Sequence, residues 1–228
     1  MKIGIIGGTG GQGLGIAIRF VLIGEDVIIG SRAVEKAQEA VNKIKELLDK
    51  DDIPNLKAAE NPDAAKEADI LVLTVPLMAQ QPTLLSIKEG AAGKILMDAT
   101  GTLETAIGGS PTRCLYLPEG AAAERAQKIL PDTTVICAFN NISSGALMNF
   151  TEPIDCDCLI SGDDQESKVT VAKLIERIPG VKVLDCGPLE RAQIIEKITP
   201  LLIGLNIKKT CKDAGIRITG IDSECKLY

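Results

Sequence analysis

Six residues near the start of the chain, Gly8-Thr9-Gly10-Gly11-Gln12-Gly13, have the types and spacing to hold a pyrophosphate. They follow the apolar run Ile3-Gly4-Ile5-Ile6 and precede a helical pattern of Leu14, Ile16, Ala17, Phe20 and Val21. That is the strand-turn-helix setting a dinucleotide fingerprint requires. Gly8 allows the tight turn, Gly10 lets backbone approach the phosphates, and Gly13 lets helix pack on strand. Unpaired N–H groups at the helix start then supply the anion site. A second group of residues selects the nucleotide. The strand Asp26-Val27-Ile28-Ile29-Gly30 ends in Ser31-Arg32, with Lys36 one helical turn further on. A carboxylate here would accept from a ribose 2′-hydroxyl and repel a 2′-phosphate. A hydroxyl, a guanidinium and an ammonium stand there instead, which favours NADP over NAD. With Glu35 and Glu39 close by, a solvated helix start is the plainer alternative.

The residues that are missing narrow the chemistry further. The chain has no histidine. Ser-His and Cys-His nucleophiles and imidazole metal sites are therefore excluded, and any proton must move through water, carboxylate, lysine, tyrosine or substrate. Direct hydride transfer suits such a chain, because it needs two rings held roughly 3–3.5 Å apart with water excluded, and no protein nucleophile. Its rate is expected to lack the ionisation of an essential protein base near neutrality. Seven cysteines stand at 114, 137, 156, 158, 186, 211 and 225 without a paired metal spacing, and read as reduced, mostly core thiols. Cys156 and Cys158 lie in a strand pattern that points both to one face, so a redox or metal role is the alternative there.

The elements that must position these groups alternate. Helical patterns span 33–49, 61–68 and 120–130, and strand patterns 56–58, 70–76, 94–99 and 134–138. The hydrophobic share is 45% with only 2% aromatic, so the core must be aliphatic, as buried parallel strands require. Together these predict an α/β fold: a Rossmann-type doubly wound parallel sheet, with ligand along the carboxyl ends of its strands. The tips at 75–77, 98–101 and 139–141 become site-forming. From residue 151 the character changes: strand 157–161, helix 164–178, strand 181–184, and a long helix 190–209 with a kink expected at Thr199-Pro200. The expectation is an NADP-binding domain over 1–150 and a small C-terminal α/β domain over 151–228 closing a cleft. A net charge of −6 disfavours nucleic acid. With no apolar run near the ~20 residues of a membrane span, the chain is expected to be cytoplasmic and to act on small molecules. The apolar stretch Ile194, Ile195, Ile198, Leu201, Leu202, Leu205 suggests a homodimer, or else burial against the first domain.

Several segments outside the fingerprint carry a family resemblance. Gly7-Gly8-Thr9-Gly10, Gly30-Ser31-Arg32, Gly187-Pro188-Leu189, Ser161-Gly162-Asp163-Asp164-x-Glu166-Ser167-Lys168 and Ile198-Thr199-Pro200-Leu201-Leu202 together resemble the archaeal coenzyme F420-dependent NADP reductases. The resemblance covers essentially the whole chain. It implies hydride transfer between NADP(H) and the deazaflavin F420, bound in a cleft between two domains. It also implies that Thr9, Gly10, Gly11, Gln12, Ser31, Arg32 and Lys36 hold NADP. On that reading Val75, Leu77, Thr100, Gly101 and Ser144 line the nicotinamide. Asn140 or Asn141 is expected to hydrogen-bond a ring carbonyl, with Asn141 equally suited to cap a helix. Thr199 and Pro200 are expected to wall the second substrate. The segments 77–81, 98–102 and 140–144 depart from the family pattern. Reduction of another small substrate, or NADP(H) sensing without catalysis, therefore stays open.

Overall fold

A computed structural model describes residues 1–209 and 211–221; Cys225 lies outside them. Six strands, β1 (Lys2–Ile6), β2 (Asp26–Ser31), β3 (Leu56–Glu60), β4 (Ile70–Leu73), β5 (Ile95–Asp98) and β6 (Thr134–Cys137), form a parallel sheet in the order β3-β2-β1-β4-β5-β6. Between them run the helices α1 (Gly11–Leu22), α2 (Val34–Leu47), α3 (Asn61–Glu67), α4 (Leu77–Ala91) and α5 (Ala122–Ile129). The order of strands reverses at β1 and β4, so their carboxyl ends diverge into a crevice. Successive strand residues face opposite layers: Ile5, Val72 and Ile136 belong to one apolar cluster, and Ile6, Leu71, Leu73 and Val135 to the other. Both faces are helix-covered, which is why the strands are almost wholly apolar.

The chain continues through α6 (Ser144–Met148), β7 (Cys156–Ile160), α7 (Gln165–Ile175), β8 (Val181–Asp185) and α8 (Ala192–Ile207), with β7 and β8 paired in parallel. This second unit shares its core with the first, since Cys158, Ile160, Val171 and Val183 pack in the same cluster as Ile3, Ile5 and Phe20. A reciprocal pair of hydrogen bonds between Cys137 and Ser161, 2.9 and 3.2 Å, stitches the end of β6 to the end of β7. Cys156 and Cys158 do face one layer, and it is apolar. Burial pushes the Cys158 thiol up to about 12, in keeping with a packing role. No group of three or more potential metal ligands occurs among the described residues. At Pro200 the helix continues: α8 runs on to Ile207, although proline leaves the Glu196 carbonyl without its helical donor. The helix begins at Ala192 rather than 190, because Leu189–Arg191 form a 3-10 turn first.

Candidate nucleotide and hydride-transfer site

Gly7, Gly8 and Gly13 make the glycine turn compact. Gly7 sits at φ 72°, where a Cβ would lie 2.2 Å from Val75 Cγ1, so this residue rather than Gly8 makes the tight turn. The Gly8 N–H donates to the Gly30 carbonyl at 3.0 Å, and the Gly7 N–H to Asn61 Oδ1 at 3.1 Å. At Gly13 a Cβ would meet Gly8 Cα at 2.6 Å, which is the close helix-strand approach expected of it. Gly10 differs from these three: nothing lies within 4 Å of its missing Cβ. It is the N-cap of α1, no side chain caps the helix, and the first turn holds no acid. The leading amides and the positive end of the helix dipole therefore face open space, which fits a phosphate.

That space is a cavity of about 600 Å³. Thr9, Gly10, Gly11 and Gln12 form its floor; Val75 and Pro76 after β4, and Ala99, Gly101 and Leu103 after β5, form one side. The segment 140–144 and the α8 residues Thr199, Leu202, Ile203 and Asn206 close the other, with Ala214. Gln12 Nε2 ties floor to wall by donating to the carbonyls of Phe139 and Ile142, at 3.1 and 3.4 Å. Phe139 is held at φ 67°, uncommon for a bulky side chain, with its buried ring edge-on to Phe20 at 6.1 Å. Ser31 is buried at the end of β2, while Arg32 and Lys36 are exposed, and no hydrogen bond or ion pair holds either side chain among the described residues. All three stand outside the cavity lining, and Ser31 directly follows Gly30, whose carbonyl accepts from Gly8.

Other expected site residues fall elsewhere. Leu77 is buried at the start of α4, and its carbonyl accepts from Arg125. Thr100 is buried behind the wall, its N–H donating to Asp98 Oδ1 at 2.8 Å. Pro200 faces inward from α8 and is buried. The Asn141 side chain caps no helix, and its amide is committed to β7: Nδ2 donates to the Asp157 carbonyl at 2.7 Å and Oδ1 accepts from Leu159 N–H at 3.1 Å. Ser143 is the cap of α6, accepting from the amides of Gly145 and Ala146. Asn140 is similarly committed, donating to the Thr100 carbonyl at 3.1 Å and accepting from Cys137 Sγ at 3.2 Å. Both asparagines line the cavity yet spend their amides on the fold.

Three supports were not anticipated. Buried Arg19, in the last turn of α1, donates to the carbonyls of Ala146, Leu147, Asn149 and Glu152 at 2.7 to 3.0 Å, and so caps the C-terminus of α6 behind Ser144. Desolvation lowers its pKa from the ordinary arginine value. Asp213 accepts from Ser143 Oγ at 2.7 Å and fixes the segment that brings Ala214 to the cavity. The buried acids Asp98 and Glu196 stand behind the β5 tip and α8. Burial pushes Asp98 up to about 6, against hydrogen bonds from Thr100 and Gln80 and the charge of Arg125. Burial, reinforced by the charge of Asp98, pushes Glu196 up to about 8, against hydrogen bonds from Ala122, Ala123 and Thr102.

Fold and site together define a Rossmann-type nucleotide-binding protein whose phosphate turn opens on a second, mostly apolar compartment. Comparison with known proteins is more specific. Residues 2–101 match the family described as NADP oxidoreductase, coenzyme F420-dependent. The F420-dependent NADP reductase of Methanothermobacter thermautotrophicus is 53% identical over 226 residues, which are 98% of this chain and 97% of that one. Its counterpart from Methanocaldococcus jannaschii is 46% identical over 223 residues, 97% and 100% of the two chains. The crystal structure of a putative F420-dependent NADP-reductase from an Arthrobacter species shares the fold, with a TM-score of 0.82 at 22% identity, covering 96% and 99%. The chain belongs to the family of F420-dependent NADP reductases.

Proposed function

We propose that this protein transfers a hydride between NADP(H) and the deazaflavin coenzyme F420. The observation that carries the reading is the uncapped start of α1 facing a cavity large enough for two ring systems, in a chain 53% identical to a reductase of that name. The nicotinamide supplies or accepts the hydride and the deazaflavin is its partner. The amides of Gly11 and Gln12 hold the pyrophosphate, with Thr9 and Gly10 beside it. Ser31, Arg32 and Lys36 take the 2′-phosphate. Val75, Gly101 and Ser144 border the nicotinamide, while Leu103, Leu202 and Ile203 exclude water from the reacting atoms. Thr199 and the backbone of Asn140 orient the second ring. Catalysis then consists of position and a dry environment, which a chain without histidine can provide.

Two coarser features support a setting for this activity. Among the described residues no helix is long and apolar enough to cross a membrane, in line with action in the cytoplasm. On α8, Ile194 and Leu201 are 58% and 62% exposed, and both lie on the stripe of Ile198 and Leu205, a face suited to a second copy of the chain. The activity is tested by mixing NADPH with F420 anaerobically and following deazaflavin absorbance. Loss of that absorbance, matched by NADPH oxidation, is expected. Tight NADPH binding with no transfer would overturn the reading.

A further inference from the structure

Behind the cavity a set of hydrogen bonds closes on itself. Gln80 Nε2 donates to Asp98 Oδ2 at 2.6 Å and to the Ala122 carbonyl at 3.0 Å. The N–H groups of Ala122 and Ala123, the first two residues of α5, donate to the two oxygens of Glu196 at 3.0 and 3.1 Å. α5 has no side-chain cap of its own, so α8 caps it from across the core. One turn later on α8, Thr199 Oγ donates to the Asn140 carbonyl at 2.8 Å. Asn140 Nδ2 returns to the Thr100 carbonyl, and Thr100 N–H to Asp98. The circuit joins the two walls of the cavity: the tip that carries Gly101 and Leu103, and the helix that carries Thr199 and Ile203.

We propose that Glu196 is a positioning residue for the transfer, holding the α8 wall at a fixed distance from the β5 tip through its two hydrogen bonds to the start of α5. The inference rests on the hydride-transfer reading, because the gap it sets is the gap between the two rings. Both acids of the circuit are buried, and the nearest cation does not neutralise them directly: Arg125 donates to Gln80 Oε1 and the Leu77 carbonyl. The other groups around Glu196 are Cys137 from β6, pushed well up by burial, and Cys114 with Lys197 and Glu104 around it on the outer side. Glu124 of α5 accepts from Gln193. Two charges cannot share this site cheaply, and burial together with the charge of Asp98 raises Glu196 further than Asp98. Ionisation of Glu196 places a second negative charge beside Asp98, and that repulsion works against the hold of the Ala122 and Ala123 amides on the carboxyl.

The sign follows from the raised value. Between the ordinary carboxylate range and about 8 the native state holds more protons than the unfolded one, so the stability contributed by Glu196 declines as pH rises through that window. The experiment is the rate of hydride transfer from NADPH to F420 in single turnover, and the NADPH dissociation constant, both across pH 6 to about 9.5, in wild type, E196Q and D98N. Wild type is expected to lose rate and NADPH affinity in one alkaline limb centred at about 8. E196Q, isosteric and uncharged, should lose the limb. D98N should move it to lower pH, because the charge that helps to hold the proton is gone. Ionisations of the substrates are common to all three proteins and cancel in the comparison. An identical limb in wild type and E196Q, or none in wild type, overturns the inference. Absence of transfer to F420 in every protein would sink the hydride reading instead, and the NADPH titration then decides the role of Glu196 alone.

Discussion

The floor of the cavity and its far wall are built on opposite principles. The floor, Gly7 to Gly13, is largely backbone: missing side chains, the uncapped start of α1 and no titratable group. The wall formed by the β5 tip and α8 is a circuit of buried side chains that includes two acids and one cation. The floor offers the phosphates no group that titrates, whereas the proposed circuit makes the wall, and with it the seat of the nicotinamide, sensitive to the charge on Glu196. On the proposed reading, the phosphates meet backbone and the reacting rings meet a wall held by buried side chains.

The sharpest way to break the floor is at Gly7. Its φ of 72° and the 2.2 Å approach to Val75 Cγ1 leave no room for a side chain. Gly7→Val is expected to cost about 3 kcal/mol or more of stability, read as a fall in denaturation midpoint, because both strain and overpacking apply. A midpoint within error of wild type would show that the turn can relax. Gly10→Val makes the contrasting case. With open space at this position the variant should fold with an unchanged midpoint yet bind NADPH at least roughly tenfold more weakly, since the new methyls occupy the phosphate site. Normal NADPH affinity in that variant would reduce the fingerprint to an ordinary loop.

A smaller, selective effect is expected at Arg32. Its exposed side chain has no partner among the described residues, so Arg32→Ala should leave stability alone and weaken NADPH by roughly tenfold to a hundredfold while barely altering NADH. Isothermal titration with both nucleotides measures this, and equal losses would remove the 2′-phosphate assignment.

The same contrast explains what could be read from sequence. The turn, the strand order and the aliphatic core are local patterns: glycine spacing, apolar runs and helical periodicity within a few residues of one another. The glycine that makes the turn was displaced by one, because a positive φ leaves no mark on composition. The wall is assembled from partners 18 to 74 positions apart, such as Gln80 with Asp98 and Ala122 with Glu196. Nothing near Glu196 in the chain distinguishes it from a solvated acid on an amphipathic helix. Asn140 and Asn141 stand out at a strand tip, but only the approach of the β5 tip to Asn140 and of β7 to Asn141 reveals that their amides are already engaged. Leu77 and Thr100 stand at strand tips that border the cavity but are buried away from it, a distinction set by where α4 starts and by the Thr100 N–H bond to Asp98 after β5. The absence of histidine predicted a rate without a protein ionisation near neutrality. The circuit proposed around Glu196 makes the opposite expectation, an alkaline limb, and the comparison of wild type with E196Q decides between the two.

The central claim is direct hydride transfer between NADP(H) and the deazaflavin, and the most direct measurement follows the hydrogen itself. NADPH carrying deuterium on its transferring face is mixed with F420 in the presence of this protein, and the reduced deazaflavin is examined by NMR and mass spectrometry. Retention of the deuterium at one deazaflavin carbon, with no washout into solvent, is the expected result. Solvent hydrogen at that carbon would contradict the account, because it requires an exchangeable intermediate or another acceptor between the two rings.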